Sequence, residues 1–229
     1  MEREKIISEI SRLKKEKDVI ILAHFYTDPK VQDLADYIGD SLGLSQMAAN
    51  TSAKIILFCG VKFMAETASI IAPDKKVLLP DPTAGCSLAE SIKSSDVIAW
   101  RKKNPDGVVV SYVNTTAEVK AHTDICCTSA NAINVINSIP DGKKIFFIPD
   151  KNLGSYISKQ LPEKKFIFND GFCYVHAGIE SANVIKLKKA YPQAKVVTHP
   201  ECGEETAALS DHVGSTSDII DYVERSSHK

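Results

Sequence analysis

Short apolar runs recur along the chain, and several of them end on a ring-bearing residue. Residues 19–23 carry no polar side chain, which is typical of a parallel strand covered on both faces. His24 and Tyr26 follow almost directly. Ligands of open α/β sheets bind at the carboxyl ends of the strands, so both rings are candidates for a site. On this stretch alone, a histidine and a tyrosine that cap the core are the favoured interpretation.

The first 18 residues have the periodicity of an amphipathic helix, with Ile6, Ile7, Ile10 and Leu13 on one stripe. The composition, 25% charged and 44% hydrophobic among 229 residues, is that of an ordinary soluble globular protein. A net charge of -1 gives no general reason to bind nucleic acid or an acidic membrane. No apolar run has the length of a membrane span or the pattern of a secretory signal. We therefore expect a cytoplasmic protein with no nucleic-acid or membrane partner.

Three segments share one pattern of polar positions. Each strand-like run ends on a ring residue, and a polar residue follows two positions later. An aspartate follows 12 positions after the ring, and a hydroxyl follows 17 positions after it. The three sets are His24/Tyr26/Asp36/Ser41, Tyr112/Asn114/Asp124/Ser129 and His199/Glu201/Asp211/Thr216. The ring residues are 88 and then 87 positions apart, so the spacing predicts a unit that occurs three times.

A second kind of segment lies between these, at residues 54–86 and 144–173. Both segments read as strand, helix and strand, and each ends on a cysteine that follows a glycine by one or two positions. Cys86 and Cys173 are 87 positions apart, which is again the period. We predict an α/β fold, a pseudo-threefold triplication of small parallel-sheet αβα sandwich domains. The predicted boundaries are 1–86, 87–173 and 174–229, with the third domain truncated to its first half.

In this arrangement the equivalent positions converge on one point. Ser41, Ser129 and Thr216 each stand where a predicted helix begins, so a hydroxyl there can simply cap the helix. Three converging helix N-termini would also form an anion site. The six cysteines are Cys59, Cys86, Cys126, Cys127, Cys173 and Cys202. None forms a CxxC pair, so taken singly each is expected to be a buried thiol in a cytosolic protein.

The sequence resembles the quinolinate synthase family along essentially its whole length. The resemblance rests on "AHFYTDPKVQDLADYIGDSL", "CGVKFMAETA", "DPTAGCSLAE", "SYVNT", "GFCYVH" and "THPEC" followed by "VGSTS", in this order. It implies three α/β sandwich domains around a central cavity. It also implies one [4Fe–4S] cluster held by three cysteines, with one open iron that acts as a Lewis acid. The implied reaction condenses iminoaspartate with dihydroxyacetone phosphate to quinolinate, phosphate and water in de novo NAD biosynthesis.

The resemblance also assigns roles to residues of this chain. It implies that Cys86 and Cys173 are cluster ligands. It implies acid–base roles for Tyr26, His24, Glu201 and His199. The implied substrate-binding residues are His24, Ser41, Tyr112, Val113, Asn114, Ser129, His199, Pro200, Glu201 and Thr216. His176 follows the second ligand in "CYVH", and an iminoaspartate-producing enzyme is a candidate partner.

The third repeat departs from the family pattern, because its cysteine-bearing half has no counterpart before Lys229. The expected third cluster ligand is therefore absent from this chain. Cys202 in "HPEC" lies where the repeat places a substrate contact rather than a cluster thiol. Two hypotheses stay open. One is an iron–sulfur enzyme that needs its missing third. The other is an inactive remnant or split-enzyme subunit that binds a dicarboxylate but cannot hold the cluster alone.

Overall fold

The computed structural model describes residues 2–228, without the side chain of Glu2, and the chain divides into two compact units. The first unit is Met1–Cys86 and the second is Ser87–Lys229. All paired strands run parallel, so the predicted α/β class is confirmed. The three-domain boundaries and the threefold arrangement stay predictions.

The first unit is a four-stranded parallel sheet with helices between its strands. Its elements are α1 (Glu2–Lys17), β1 (Val19–His24), α2 (Pro29–Gln32), β2 (Tyr37–Gly39), α3 (Ser41–Asn50), β3 (Ile55–Cys59), α4 (Lys62–Ile71) and β4 (Lys76–Leu78). The strand order is β2-β1-β3-β4. The predicted amphipathic helix is confirmed as α1, and its Ile10 packs on buried Ile21 and Ala23 of β1.

Residues 94–168 of the second unit have the same order of elements as the first unit. They form α5 (Ser94–Lys103), β5 (Val108–Tyr112), α6 (Ala117–Lys120), β6 (Ile125–Cys127), α7 (Ala132–Asn137), β7 (Lys144–Ile148), α8 (Lys151–Gln160) and β8 (Lys165–Phe168). The strand order β6-β5-β7-β8 repeats the order of the first sheet. Val109, Phe146 and Ile148 form part of its buried core, against which Trp100 packs.

The rest of the second unit contains a shorter series of elements. It consists of α9 (Tyr174–Ala177), α10 (Ser181–Ala190), β9 (Val197–Thr198), α11 (Glu204–Ala208), β10 (His212–Val213) and α12 (Thr216–Arg225). Strands β9 and β10 pair in parallel as a two-stranded sheet. Both strands have only two residues, and residues 199–202 directly follow β9.

The three aspartates of the sequence pattern make the same contact. Each carboxylate accepts the backbone N–H of the residue 15 positions earlier, beside the strand of its own segment. The contacts are Ile21 N to Asp36 Oδ2 (2.7 Å), Val109 N to Asp124 Oδ2 (2.7 Å) and Val196 N to Asp211 Oδ2 (2.9 Å). A basic side chain neutralises each one, namely Lys14, Arg101 or Lys195. The aspartates at this spacing of 12 positions therefore have a structural role, because each one forms a hydrogen bond with the backbone of its own segment.

Two of the three hydroxyls of the pattern begin a helix, as predicted, and the third does not. Ser41 and Thr216 are first residues of α3 and α12, but the residues before them, Asp40 and Ser215, supply the capping side chains. Ser129 lies three positions before α7, whose N-cap residue is Asn131. The side chains of Asp40 and Ser215 accept hydrogen bonds from free N–H groups of α3 and α12, whereas Asn131 makes no side-chain cap hydrogen bond to α7.

Candidate functional site

The three ring residues lie at the carboxyl ends of strands, as the sequence predicts. His24 ends β1, Tyr112 ends β5, and His199 directly follows β9. Each of the three residues is only 6% exposed. Side chains that stand at this edge and are nearly enclosed need polar partners, because an unpaired buried polar group is costly. The hydrogen-bond partners of these three rings therefore determine their protonation and the groups that they can bind.

Both histidines are held as neutral donors by the same backbone contact. The N–H of Tyr26 donates to His24 Nδ1 at 3.3 Å, and the N–H of Glu201 donates to His199 Nδ1 at 3.3 Å. Because Nδ1 accepts, the ring proton belongs on Nε2. Burial lowers the pKa of both histidines to about 4. Each ring therefore offers one Nε2–H donor without a charge, and the 3.7 Å approach of His199 to the Glu201 carboxylate is not an ion pair near neutral pH.

A hydrogen-bonded cluster within the second unit joins the ends of β5 and β9. His199 Nε2 lies 3.1 Å from Ser129 Oγ. The Tyr112 hydroxyl contacts both Ser129 and Glu201. Burial, with the negative charge of Glu201, raises the pKa of Tyr112 well above its usual value, so the phenol stays protonated. Four predicted substrate-binding residues are thus in direct contact with one another.

Glu201 reaches this cluster because the turn after β9 folds back. The N–H of Cys202 donates to the carbonyl of His199 at 3.0 Å and closes the turn. Asn152 in α8 donates to the backbone carbonyl of Glu201 at 3.0 Å. The carboxylate is 3% exposed. A carboxylate so deeply buried requires a cation or several donors, since desolvation alone would neutralise it.

His176 supplies that cation. Its Nδ1 lies 3.2 Å from Glu201 Oε2, and its ring stacks on His199 with 4.9 Å between centroids. Burial opposes the charge on His176, but its contacts with Cys173 and Glu201 outweigh burial and raise its pKa to about 10. Burial likewise opposes ionisation of Glu201, and its contacts with His176, His199 and Tyr112 lower its pKa. Both shifts have the directions of an ion pair.

Sequence reasoning missed Asp150, which is fully buried beside this cluster. Its carboxylate accepts the N–H of Leu153 at 2.8 Å and the N–H of Cys173 at 3.1 Å. Burial and the charge of Glu201 raise the pKa of Asp150 to about 7, against the lowering effect of these N–H donors. The signal in the sequence was an aspartate directly before a helix, which predicts a cap and not a link to Cys173.

The remaining predicted residues belong partly to the first unit and partly to the second. His24, Tyr26, Ser41 and Cys86 belong to the first unit. Tyr26 is 67% exposed and meets the His24 ring edge-on, with 4.7 Å between centroids. Val113 and Pro200 are buried, Thr216 is half-buried in α12, and the buried Asn114 Oδ1 has no hydrogen-bond partner among residues 2–228. An acceptor buried without a partner is expected to find one in a ligand or in water.

Comparison with known proteins identifies the family. The family model for "Quinolinate synthetase A protein" matches residues 8–229. The chain is 50% identical to the quinolinate synthase of Sulfurihydrogenibium sp. over 97% of this chain and 72% of that protein. It is 52% identical to the Aquifex aeolicus quinolinate synthase, over 93% of this chain and 66% of that protein. The chain belongs to the quinolinate synthase family.

Members of the quinolinate synthase family are enzymes, and a third relative agrees with the assignment. The quinolinate synthase of Clostridioides difficile is 48% identical over 96% of this chain and 72% of that protein. Among solved structures, the chain is similar to the E-1-hydroxy-2-methyl-but-2-enyl-4-diphosphate reductase of Plasmodium falciparum, with a TM-score of 0.36 and 18% identity. That match covers 89% of this chain and 66% of the other, and at this TM-score it carries no argument.

The six thiols of this quinolinate synthase relative differ in burial and in pKa. All six cysteines are free, and Cys86 and Cys173 are the two half-buried ones among residues 2–228. Burial raises the pKa of the Cys59, Cys127 and Cys202 thiols, which disfavours the thiolate that a metal requires. Burial also raises the pKa of Cys126, so these four cysteines are poorly suited to metal binding.

Two further features do not bear on the cluster of polar residues. A cavity of about 440 Å³ is lined by His212, Asp218, Asp221, Tyr222, Arg225, Ser226, Ser227 and His228. These lining residues include none of the predicted site residues, so the cavity is not taken as the site. Within residues 2–228, the longest helices are too short or too polar to cross a lipid bilayer.

Proposed function

We propose that this chain carries out the quinolinate synthase reaction of de novo NAD biosynthesis. The substrates are iminoaspartate, supplied by an iminoaspartate-producing enzyme, and dihydroxyacetone phosphate, and the products are quinolinate, phosphate and water. The observation that carries the proposal is the cluster in which Tyr112, Ser129, His199 and Glu201 are in mutual contact. Family membership supports it, and no relative favours the alternative of an inactive remnant.

Binding of a dicarboxylate follows from the donors of this cluster. The Nε2–H of His199 and the hydroxyls of Ser129 and Tyr112 are neutral, and all belong to residues that are mostly enclosed. Neutral donors at a site of low polarity form strong hydrogen bonds with a carboxylate, because the acceptor is ionised. Asn114 adds an amide at the end of β5. By equivalence of the sequence pattern, His24 and Ser41 are proposed to bind substrate in the same way.

His176 and Glu201 are the proposed proton-transfer groups of the second unit. With the pKa of His176 raised and that of Glu201 lowered, the proton resides on the imidazole. His176 is therefore the proposed acid of the pair and Glu201 the proposed acceptor, with 3.2 Å between Nδ1 and Oε2. The exposed phenol of Tyr26 is the proposed acid–base group of the first unit.

We place Cys86 and Cys173 as ligands of a [4Fe–4S] cluster. When bound, such a cluster supplies an iron that acts as a Lewis acid towards oxygen or nitrogen atoms of the substrate. The N–H of Cys173 donates to the Asp150 carboxylate at 3.1 Å, and this hydrogen bond holds the backbone of Cys173 in place. The equivalent helix of the first unit, α4, has Val61 as its N-cap residue, which makes no side-chain cap hydrogen bond.

Anaerobic reconstitution with iron and sulfide, followed by a quinolinate assay, tests the proposal. When a C-terminal segment that carries the third cysteine is supplied, we expect quinolinate from the wild-type sequence and from Ser138→Ala, an exposed serine of the same unit. Without that segment we expect little or no quinolinate. Ser129→Ala is expected to raise the KM for iminoaspartate, because a partner of His199 and Tyr112 is lost. Quinolinate no higher than in a protein-free control, with the segment supplied, would contradict the proposal.

A further inference from the structure

Three metal-binding side chains of different chemistry converge in the second unit. One ligand atom each of Cys173, His176 and Glu201 lies within 4.8 Å of the other two. They come from two separate parts of the chain, the start of α9 and the turn after β9. This convergence lies within the second unit and uses His176 and Glu201, neither of which is a proposed ligand of the iron–sulfur cluster.

Local structure explains how the three side chains come together. Cys173 is the N-cap residue of α9, and His176 follows three positions later, which places both on one face of a helical turn. Glu201 comes from the turn after β9, and the distance between its Oε2 and His176 Nδ1 is 3.2 Å. Small adjustments within the 4.8 Å limit would bring all three atoms to one ion, because ligand atoms around a tetrahedral centre are about 3.3–3.8 Å apart at the usual bond lengths of 2.0–2.3 Å.

The surroundings hold each ligand in place. The N–H of Cys173 donates to the buried Asp150 carboxylate at 3.1 Å, and Asn152 holds the carbonyl of Glu201 at 3.0 Å. The His199 ring stacks on His176. Supporting contacts of this kind orient metal ligands and raise affinity for the ion. Such support distinguishes the group from a chance meeting of side chains on a surface.

We propose that Cys173, His176 and Glu201 bind one divalent cation of the zinc class when the chain carries no iron–sulfur cluster. Thiolate, imidazole and carboxylate together suit Zn²⁺ or Co²⁺ and not Mg²⁺ or Ca²⁺, which require oxygen ligands. Glu201 is buried, whereas Cys173 and His176 are half-buried, and these three side chains leave a fourth coordination position for a water molecule. Such a site has three protein ligands and one water molecule.

The ion and the cluster compete for one sulfur. If Cys173 is a cluster ligand, which rests on the proposed function, its thiolate cannot serve both groups in full. Zinc bound at this group therefore blocks cluster assembly, and the chain has two exclusive metal states. The ligand sets differ, since the ion requires His176 and Glu201 whereas the cluster requires Cys86.

Titration of the reduced, cluster-free chain with Co²⁺ under anaerobic conditions tests the proposal. We expect saturation at one ion per chain, with the visible bands of tetrahedral Co²⁺ and a near-ultraviolet band from thiolate coordination. Added Zn²⁺ is expected to abolish these bands. Absence of tetrahedral bands in the wild-type chain would overturn the proposal, whatever the variants do.

Variants then identify the ligands. Cys173→Ser, His176→Gln and Glu201→Gln are each expected to weaken Co²⁺ binding by about 100-fold or more. Cys86→Ser, the matched control, is expected to bind Co²⁺ as the wild type does. Circular dichroism of each variant shows whether it is folded. Equal loss in Cys86→Ser, or full binding by a folded His176→Gln, would refute this ligand set.

Cluster reconstitution separates this inference from the proposed function. Absorbance of the cluster on iron and sulfide addition is expected to fall when the chain is loaded with Zn²⁺ beforehand. If no cluster forms even without Zn²⁺, the proposed function fails while the Co²⁺ result still decides the ion site. If the cluster forms equally well on the Zn²⁺-loaded chain, the competition is refuted.

Discussion

The burial of His24 predicts that the stability of the chain depends on pH. The ring is 6% exposed, its Nδ1 accepts the N–H of Tyr26, and its pKa is lowered to about 4, mainly by burial. Asp40 opposes this effect only in part. Replacement by glutamine removes the titrating group while leaving an amide of similar size. We therefore compare the wild type with His24→Gln as a function of pH.

The magnitude follows from the shift in pKa. Between pH 6.5 and about pH 4 the unfolded chain binds a proton at His24 that the folded chain does not. The stability contributed by neutral His24 is thus complete above pH 6.5 and is lost as the pH falls towards 4. One pKa unit corresponds to about 1.4 kcal/mol, so the loss is about 1.4 kcal/mol from pH 7.5 to 5.5 and roughly 3 kcal/mol by pH 4.

Urea unfolding followed by circular dichroism measures this effect. The difference in unfolding free energy between wild type and His24→Gln is expected to shrink or reverse by the amounts given as the pH falls. Substitution of the exposed His122 by glutamine is the control and is expected to give a curve parallel to that of the wild type. A wild-type–His24→Gln difference that is constant from pH 7.5 to 4.5 would refute the reasoning, as would an NMR titration of the His24 ring near pH 6.5.

Substitutions at three further positions test the fold of the second unit. Asp124→Ala is expected to lower the free energy of unfolding by about 1–3 kcal/mol, because the N–H of the fully buried Val109 loses its acceptor. Asp124→Asn retains an acceptor and is expected to lower it less. Urea unfolding of both variants measures the difference. Leu153→Ala, at 1% exposure, is expected to cost about 2–5 kcal/mol in the same assay. Gly171→Ala would place a Cβ 2.2 Å from Ser91 Oγ and is expected to lower the Tm, and an unchanged Tm would show that this segment moves easily.

Local patterns predicted the strands and the polar positions that follow them. The apolar run that ends at His24 became β1, and the runs before Tyr112 and His199 became β5 and β9. Each of these is a short-range property, since strand periodicity and burial are read from consecutive residues. The constant spacing of aspartates was also visible. The cause of this spacing could not be predicted from the sequence. The hydrogen bond from the N–H of Val109 to Asp124 depends on the register of two neighbouring strands.

The contacts that define the site could not be read from the sequence. Glu201 meets His176 only because the turn after β9 folds back beside α9, and these residues are 25 positions apart. The ion pair depends on that tertiary contact and not on any local motif. Asp150 was overlooked for the same reason, since its role as a cap is local but its bond to Cys173 is not. Sequence patterns therefore located the strand ends, while packing determined which side chains share protons.

The most direct test of the central claim is the binding of a dicarboxylate by the cluster around Ser129. Calorimetric titration with malate is to be performed on the wild type, Ser129→Ala and the exposed control Ser138→Ala. Loss of the hydroxyl between His199 and Tyr112 is expected to weaken binding by about 1–3 kcal/mol, roughly 5- to 150-fold, while Ser138→Ala binds as the wild type does. Equal affinity of Ser129→Ala and Ser138→Ala would contradict the claim that these strand ends bind the substrate.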